Sequence, residues 1–362
     1  MNPLGLYVHI PFCVKKCGYC DFYSVCDLTL ADAYTDELVR RIERLGNRFD
    51  TLYFGGGTPS LLGGERLCRL IAAARPKLTD DCEITVEVNP GDDLAALLPR
   101  LAEAGVNRLS IGMQSHCDSV LAALTRRHSA RDVDLAVGLA QKSGITDISL
   151  DVMLGVERQT PQTLRETLEF CTNCGATHIS AYMLKIEPNT PFSAQSDRMC
   201  LPDEDATADM YLQVCSALGA AGFEHYEISN FAREGFRSRH NMKYWRCEPY
   251  VGLGPAAHSF DGKRRTCFPR SLTAFLDGGG EELEGDGGSL EEYAMLRLRL
   301  SDGLERKAAL ERFPTCERDI AEIFAKAAPL AKNGLVTVTG ERVALTERGF
   351  LLSTPVTAGL LY

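Results

Sequence analysis

The chain has 362 residues, 45% of them hydrophobic and 24% charged, with a formal net charge of -10. Such a length and apolar content allow a large core in two or three domains and exclude a globally disordered chain. The acidic balance argues against nucleic acid as a main partner, and the lack of a signal-like start or a membrane-length apolar run predicts a cytoplasmic protein with no integral membrane segment.

Short β-branched or aromatic-rich runs at 4–10, 51–54, 83–88, 107–112, 146–152 and 177–183 predict six strands. Helical periodicity at 30–45, 65–74, 94–103, 130–142 and 161–174 fills the intervals, punctuated by Gly and Pro. This alternation reads as βαβ units around a parallel sheet. With no dinucleotide fingerprint, an α/β barrel or partial barrel is favoured over a doubly wound sheet. A helix over 203–221 and a strand over 224–229 follow. The Gly-rich, acidic stretch 261–290 reads as a linker. Helices over 291–300 and 320–333, then a hairpin around Gly340-Glu341, predict a smaller winged-helix-like C-terminal domain. The acidic charge favours packing or partner docking for it over DNA binding. Expected domains are a core over 1–235, a segment and linker over 236–290, and a C-terminal domain over 291–362.

In an α/β barrel the C-terminal strand ends converge on one face, where active sites are built. Here those ends carry Cys13, Cys17 and Cys20, then Gly55-Gly56-Gly57-Thr58-Pro59, then Glu87, Gln114, Asp151 and Tyr182. Of the fourteen cysteines, only the first three form a tight C-x3-C-x2-C cluster in a loop. Thiolates at this spacing suit an iron–sulfur or zinc centre. Structural zinc wants a fourth ligand, and none follows at finger spacing; His9, on the preceding strand, is the one nearby recruit. Three cysteines instead hold three irons of a four-iron cluster and leave the fourth open. Cys68, Cys82 and Cys215 read as buried thiols, and Cys171 and Cys174 as helix cysteines despite their C-x2-C spacing. The glycine loop lacks the Lys-Ser/Thr ending of a P-loop but suits close backbone approach to a small polar ligand.

The run from Tyr7-Val8-His9-Ile10-Pro11-Phe12-Cys13 through Cys20-Asp21-Phe22, with Gly55–Pro59, resembles the radical S-adenosylmethionine (SAM) superfamily. Within it, the chain is most similar to the branch of oxygen-independent coproporphyrinogen III oxidase and its heme-chaperone relatives. The likeness extends to Tyr226–Ala232, to Ser238-Arg239-His240-Asn241-Met242-Lys243-Tyr244-Trp245 with its HNxxYW motif, and to 343–352. It implies a partial (β/α)6 barrel and a 4Fe-4S cluster on Cys13, Cys17 and Cys20, with SAM on the open iron. Tyr7, Tyr19, Gly56, Gly57, Thr58, Glu87, Gln114, Arg126 and Asp151 match SAM-contacting positions. Their chemistry fits: the loop backbone and Glu87 for the ammonium, Arg126 for the carboxylate, Asp151 or Gln114 for the ribose hydroxyls.

Phe22, where the oxidase has a further Cys, and the near-terminal Tyr7, where the oxidase has an N-terminal extension, favour the chaperone. Two other positions depart from the family pattern, Gly155-Val156-Glu157 and Glu234. The resemblance therefore implies a heme chaperone that delivers heme to a heme-requiring acceptor protein. Coproporphyrinogen dehydrogenase chemistry is the alternative, because every SAM position is kept; no catalytic residue is singled out, and a homodimer stays open. His240, beside Tyr244 and Trp245, is the first candidate for heme contact, against a reading as a hydrogen-bonded histidine between barrel and second domain. His258 is the second.

Overall fold

The computed structural model describes residues 3–362; Met1 and Asn2, read as leading straight into the first strand, lie outside them. Six parallel strands lie side by side in chain order: β1 (Leu4–Ile10), β2 (Phe49–Gly56), β3 (Leu78–Val88), β4 (Arg108–Gln114), β5 (Asp147–Leu154) and β6 (His178–Met183). Between them run α1 (Ala31–Arg44), α2 (Gly64–Ala74), α3 (Leu94–Glu103), α4 (Asp118–Ala123), α5 (Ala130–Lys142) and α6 (Pro161–Asn173). Each helix buries one stripe, as α1 does with Tyr34, Leu38 and Ile42. Starts are written locally. Ser129 and Asp132 form a capping box on α5, and Thr160 with Thr163 does the same for α6, where Pro161 opens the first turn.

Alternation along the strands sorts side chains between two faces. Leu6, Val8 and Ile10 of β1 and Leu52 and Phe54 of β2 are fully buried in the core, while the intervening Tyr7, His9 and Tyr53 occupy the opposite, concave face. The sheet does not close. Beyond β6 lie β7 (Glu224–Glu227) and β8 (Asn230–Ala232), with β8 antiparallel to β6. Helix α7 (Glu204–Ala220) precedes them, and α8 (Arg239–Trp245), capped by Ser238, follows. On its other side β1 pairs in parallel with β9 (Tyr250–Leu253), which continues into β10 (His258–Phe260), β11 (Arg264–Cys267) and β12 (Glu282–Asp286). The result is one open twelve-stranded sheet, the partial rather than the closed form of the barrel.

The expected linker over 261–290 is thus corrected. It contains β11 and β12, paired antiparallel from Arg264↔Asp286 to Cys267↔Glu282, and a helical turn, Leu272–Leu276. Composition misled because its glycines serve turns, Gly278 at φ +88° and Gly288 at φ +77°, while Arg265 packs over Phe260 and pairs with Glu292 at 2.6 Å. The C-terminal part is a three-stranded antiparallel sheet, β13 (Leu304–Glu305), β14 (Val336–Val338) and β15 (Arg342–Leu345), in the order β13-β15-β14. Helix Glu317–Lys332 buries Ile320, Ile323, Phe324 and Ala327 beside it, as a winged-helix-like unit requires. Backbone bonds from Ile228 N to Arg299 O (3.1 Å) and from Ser301 N to Tyr226 O (3.0 Å) stitch the segment that leads into it to the core. No helix of the described residues is long and apolar enough to cross a membrane.

Candidate functional site

The C-terminal strand ends surround a cavity of about 390 Å³. Cys13, Cys17, Cys20, Tyr19, Gly56, Gly57, Thr58, Glu87, Gln114, Arg126 and Asp151 all line it, and so does Tyr182. Tyr7 does not. Its hydroxyl bonds His9 Nδ1 at 3.1 Å, and the His9 ring in turn lies against Gly56, where a Cβ would meet it at 2.4 Å. His9 Nε2 is taken by Tyr23 O at 2.9 Å, so neither ring nitrogen is free for a metal.

The cysteine loop is fixed by the chain around it. Cys13 N donates to Val25 O (3.0 Å), Gly18 N to Thr125 Oγ1 (2.9 Å) and Phe192 N to Gly18 O (2.9 Å). The glycine loop zips onto it through Gly57 N to Ile10 O (2.8 Å) and Thr58 N to Phe12 O (2.7 Å), which brings Thr58 Oγ1 to 3.5 Å from Cys13 Sγ. A small apolar cluster of Val120, Leu124, Met153, Val156 and Phe192, with Tyr19 packed on it, backs this corner. Val156, one of the departures from the family pattern, is therefore a packing residue; Glu234, another, is exposed.

Arg126 and its neighbour are now told apart. Arg126 reaches Cys17 Sγ and Tyr19 Oη, both at 3.4 Å, and Gly112 O at 2.7 Å, while Arg127 pairs with Asp92. Gly112 makes this approach feasible, since a Cβ there would lie 3.1 Å from Arg126 Nη2 and 3.3 Å from Gln114 Nε2. Gln114 itself sits at φ +67°, a conformation that costs a non-glycine residue about 1–2 kcal/mol and that turns the chain at the cavity wall. Three half-buried thiols, with a buried guanidinium whose Nε has no partner among the described residues, form a donor set that fits an anionic iron–sulfur cluster.

Opposite them stand two carboxyls. Glu87 accepts from Tyr53 Oη (2.8 Å) and Gly56 N (3.1 Å), and Asp151 from Ser110 Oγ (3.2 Å). Burial pushes Glu87 up to about 7 and Asp151 up to about 6. Both keep protons over a range where the unfolded chain has lost them, so their contribution to stability is present in acid and is lost as pH rises through those values. Ligand-free protein should therefore melt lower at about pH 8 than at about pH 5 by this route, and Glu87→Gln should flatten the upper part of the slope. Thermal melts of both proteins across that range check it. An identical slope in the variant would remove Glu87 as the source.

His240 is 1% exposed on α8. Its Nδ1 meets Thr51 Oγ1 at 2.8 Å and its Nε2 meets Tyr244 Oη at 2.7 Å. Burial, with Lys243 and Arg108 nearby, lowers its pKa to about 3. Both nitrogens of this core histidine are thus hydrogen-bonded in the structure, one to Thr51 of the barrel and one to Tyr244 of its own helix. Asn241, its neighbour, does line the cavity, as do Arg108 and Ser110. Arg108 was missed, although an arginine inside an otherwise apolar strand was a legible signal. Glu83 and Asp147 hold it charged against its burial. Cys82 and Cys215 are buried as expected and Cys171 is buried on α6, whereas Cys68 is only half-buried.

An open parallel sheet bearing a three-cysteine loop and a glycine loop at its strand ends defines a radical SAM protein, and the Radical SAM superfamily pattern matches residues 7–171, with the HemN C-terminal domain matching 289–352. The heme chaperone HemW of Mycobacterium tuberculosis is 36% identical over 99% of this chain and 95% of its own length. That of Bacillus subtilis is 35% identical over 98% of each, and that of Escherichia coli 34% identical over 97% and 96%. The solved coproporphyrinogen III oxidase HemN of Escherichia coli, a radical SAM enzyme, superposes with a TM-score of 0.83 at 25% identity, covering 99% of this chain and 90% of that one. The chain belongs to the HemW family.

Proposed function

We propose that this chain binds heme and delivers it to heme-requiring acceptor proteins, with a 4Fe-4S cluster and SAM in the strand-end cavity. The observation that carries the reading is likeness over almost the full chain to heme chaperones of three distant bacteria. Cys13, Cys17 and Cys20 hold the cluster, which when bound supplies an open iron for the amino and carboxylate groups of SAM. The backbone of Gly56 and Gly57 with Glu87 takes the ammonium, Arg126 the carboxylate, and Asp151 and Gln114 the ribose hydroxyls. Thr58 and Tyr19 wall the cofactor, and Tyr7 supports it from behind through His9 and Gly56. The same reading keeps the protein cytoplasmic, and sizing in solution reports whether two copies pair.

A second reading, oxidation of coproporphyrinogen III, draws on the structural likeness to HemN. One anaerobic experiment separates the two. Reconstituted protein, SAM, a strong reductant and coproporphyrinogen III are incubated and analysed by chromatography, and a parallel sample is titrated with hemin and then mixed with an apo-hemoprotein. The expected result is no protoporphyrinogen, saturable heme binding and transfer. Protoporphyrinogen formed with 5′-deoxyadenosine over many turnovers would overturn the chaperone reading.

A further inference from the structure

Among the described residues, two groups of three side chains place sulfur, nitrogen and carboxylate donors within 4.8 Å of one another. One is His258, Cys267 and Glu284 on the outer strands; the other is Cys215, His225 and Glu347, where the C-terminal part meets the core. Distances tell them apart. Zinc–sulfur and zinc–nitrogen bonds of about 2.3 and 2.1 Å at a tetrahedral angle set the two donor atoms roughly 3.6 Å apart. His225 Nδ1 lies 3.8 Å from Cys215 Sγ, close to that spacing. In the outer group His258 Nδ1 lies 2.7 Å from Glu284 Oε2, the length of a direct hydrogen bond.

Local structure brings the inner three together. Gly222 at φ +82° ends α7, and Phe223 N returns to Leu218 O at 3.0 Å, so β7 turns back along the helix and carries His225 to Cys215. The His225 ring stacks on Phe231, with centroids 4.1 Å apart, and meets Phe350 at 5.0 Å in an edge contact. Its Nε2 lies 3.2 Å from Ile228 O. A carbonyl only accepts, so Nε2 carries the proton and the Nδ1 lone pair is presented toward Cys215. Metal-bound histidines are oriented in this way, with the second nitrogen donating to a carbonyl or carboxylate. Glu347 arrives from the C-terminal part, on the short helix Glu347–Leu351, which Thr346 Oγ1 caps by accepting from Gly349 N at 3.1 Å. The buried Phe350 that touches the His225 ring belongs to the same helix.

We infer that Cys215 Sγ, His225 Nδ1 and a Glu347 carboxylate oxygen form a zinc site that clips the C-terminal part of the chain to the core. Thiolate, imidazole and carboxylate together are the mixed donor set of a borderline cation, whereas calcium and magnesium take oxygen ligands. Binding replaces the Cys215 thiol proton with the metal, and the proton leaves to solvent. Cys215 is 3% exposed and Glu347 is exposed, so the carboxylate closes the site from the solvent side. Glu347 lies within the matched HemN C-terminal domain and the other two ligands lie before it, so the ion ties two parts of the chain. None of the three lines the strand-end cavity, and the inference stands whether or not the chain carries heme.

The test uses full-length, cluster-reconstituted protein freed of loose metal and titrated anaerobically with zinc chloride, with bound zinc and iron counted by elemental mass spectrometry. Wild type should take up one zinc per chain at unchanged iron content, and its melting temperature should rise with zinc concentration. Zinc-edge X-ray absorption should show one sulfur neighbour at about 2.3 Å. Glu347→Ala, at an exposed position, should weaken zinc by more than the roughly 10–100-fold that loss of a group behind a ligand costs. Cys215→Ser should lose the sulfur neighbour, and Cys267→Ser should change nothing. The inference is overturned if cluster-loaded wild type binds no zinc, which would leave Cys215 as a simple hydrogen-bond partner of His225. It is equally overturned if Glu347→Ala and Cys215→Ser bind as wild type does, or if Cys267→Ser is the variant that loses the ion. Zinc bound only when the cluster is missing would assign it to the cluster thiols and overturn the inference as well.

Discussion

Cys17→Ala is expected to bring iron and acid-labile sulfide close to zero after anaerobic reconstitution and to remove the broad visible absorption of the cluster, while the protein stays folded. Cys17 is one of three donors lining the cavity, and two thiols do not retain a four-iron cluster that already lacks a fourth protein ligand. The loop itself does not depend on the thiol. Val25, Thr125 and Phe192 hold it through backbone groups of Cys13 and Gly18, so the change in folding stability should stay within about 1 kcal/mol. The control is Cys171→Ala, a buried thiol on the α6 core face. It should keep full iron and sulfide and lose about 1 kcal/mol or somewhat more of stability. Full iron and sulfide in Cys17→Ala would withdraw the ligand assignment, whatever the family resemblance.

How much of this was legible beforehand depended on whether the signal was local. Six strand–helix units were readable because hydrophobic periodicity and Gly or Pro punctuation are properties of short windows. For that reason 94–103 and 130–142 match α3 and α5 at both ends. The cysteine and glycine loops were readable for the same reason. The strands β11 and β12 were not. Their side chains are mostly polar or charged, and what makes them strands is pairing with each other and with β10, stabilised by Arg265 stacking on Phe260. His240 and His258 show a further limit. Sequence motif put His240 first, yet which imidazole nitrogen is free depends on Thr51, Tyr244 and Glu284, residues 189, 4 and 26 positions away. Only the fold brings those partners together, so the hydrogen-bonding of the two histidines was not legible in the sequence.

Gly57→Ala is expected to cost SAM binding heavily without costing the cluster its ligands. A Cβ at this position would meet Phe12 O at 2.7 Å, Ile10 O at 2.8 Å and Phe12 N at 2.9 Å, all backbone atoms with no side chain to swing aside. Two of these atoms, Ile10 O and Phe12 O, are the ones that pair the two loops, through Gly57 N to Ile10 O and Thr58 N to Phe12 O. Relief has to come from moving the glycine loop away from the cysteine loop, at a cost of about 1–3 kcal/mol. If most of that falls on the ligand-binding geometry, SAM affinity drops tenfold or more, since about 1.4 kcal/mol is a factor of ten. The cysteines keep their own anchors at Val25 and Thr125, so iron and sulfide should remain near the wild-type content. Gly46→Ala is the matched control, with nothing within 4 Å of its Cβ position, and it should bind SAM as wild type does. Isothermal titration of the reconstituted proteins with SAM reads the difference. Wild-type affinity in Gly57→Ala would mean that the glycine loop does not form the floor on which SAM sits; loss of the cluster together with SAM would mean that the two loops assemble as one unit.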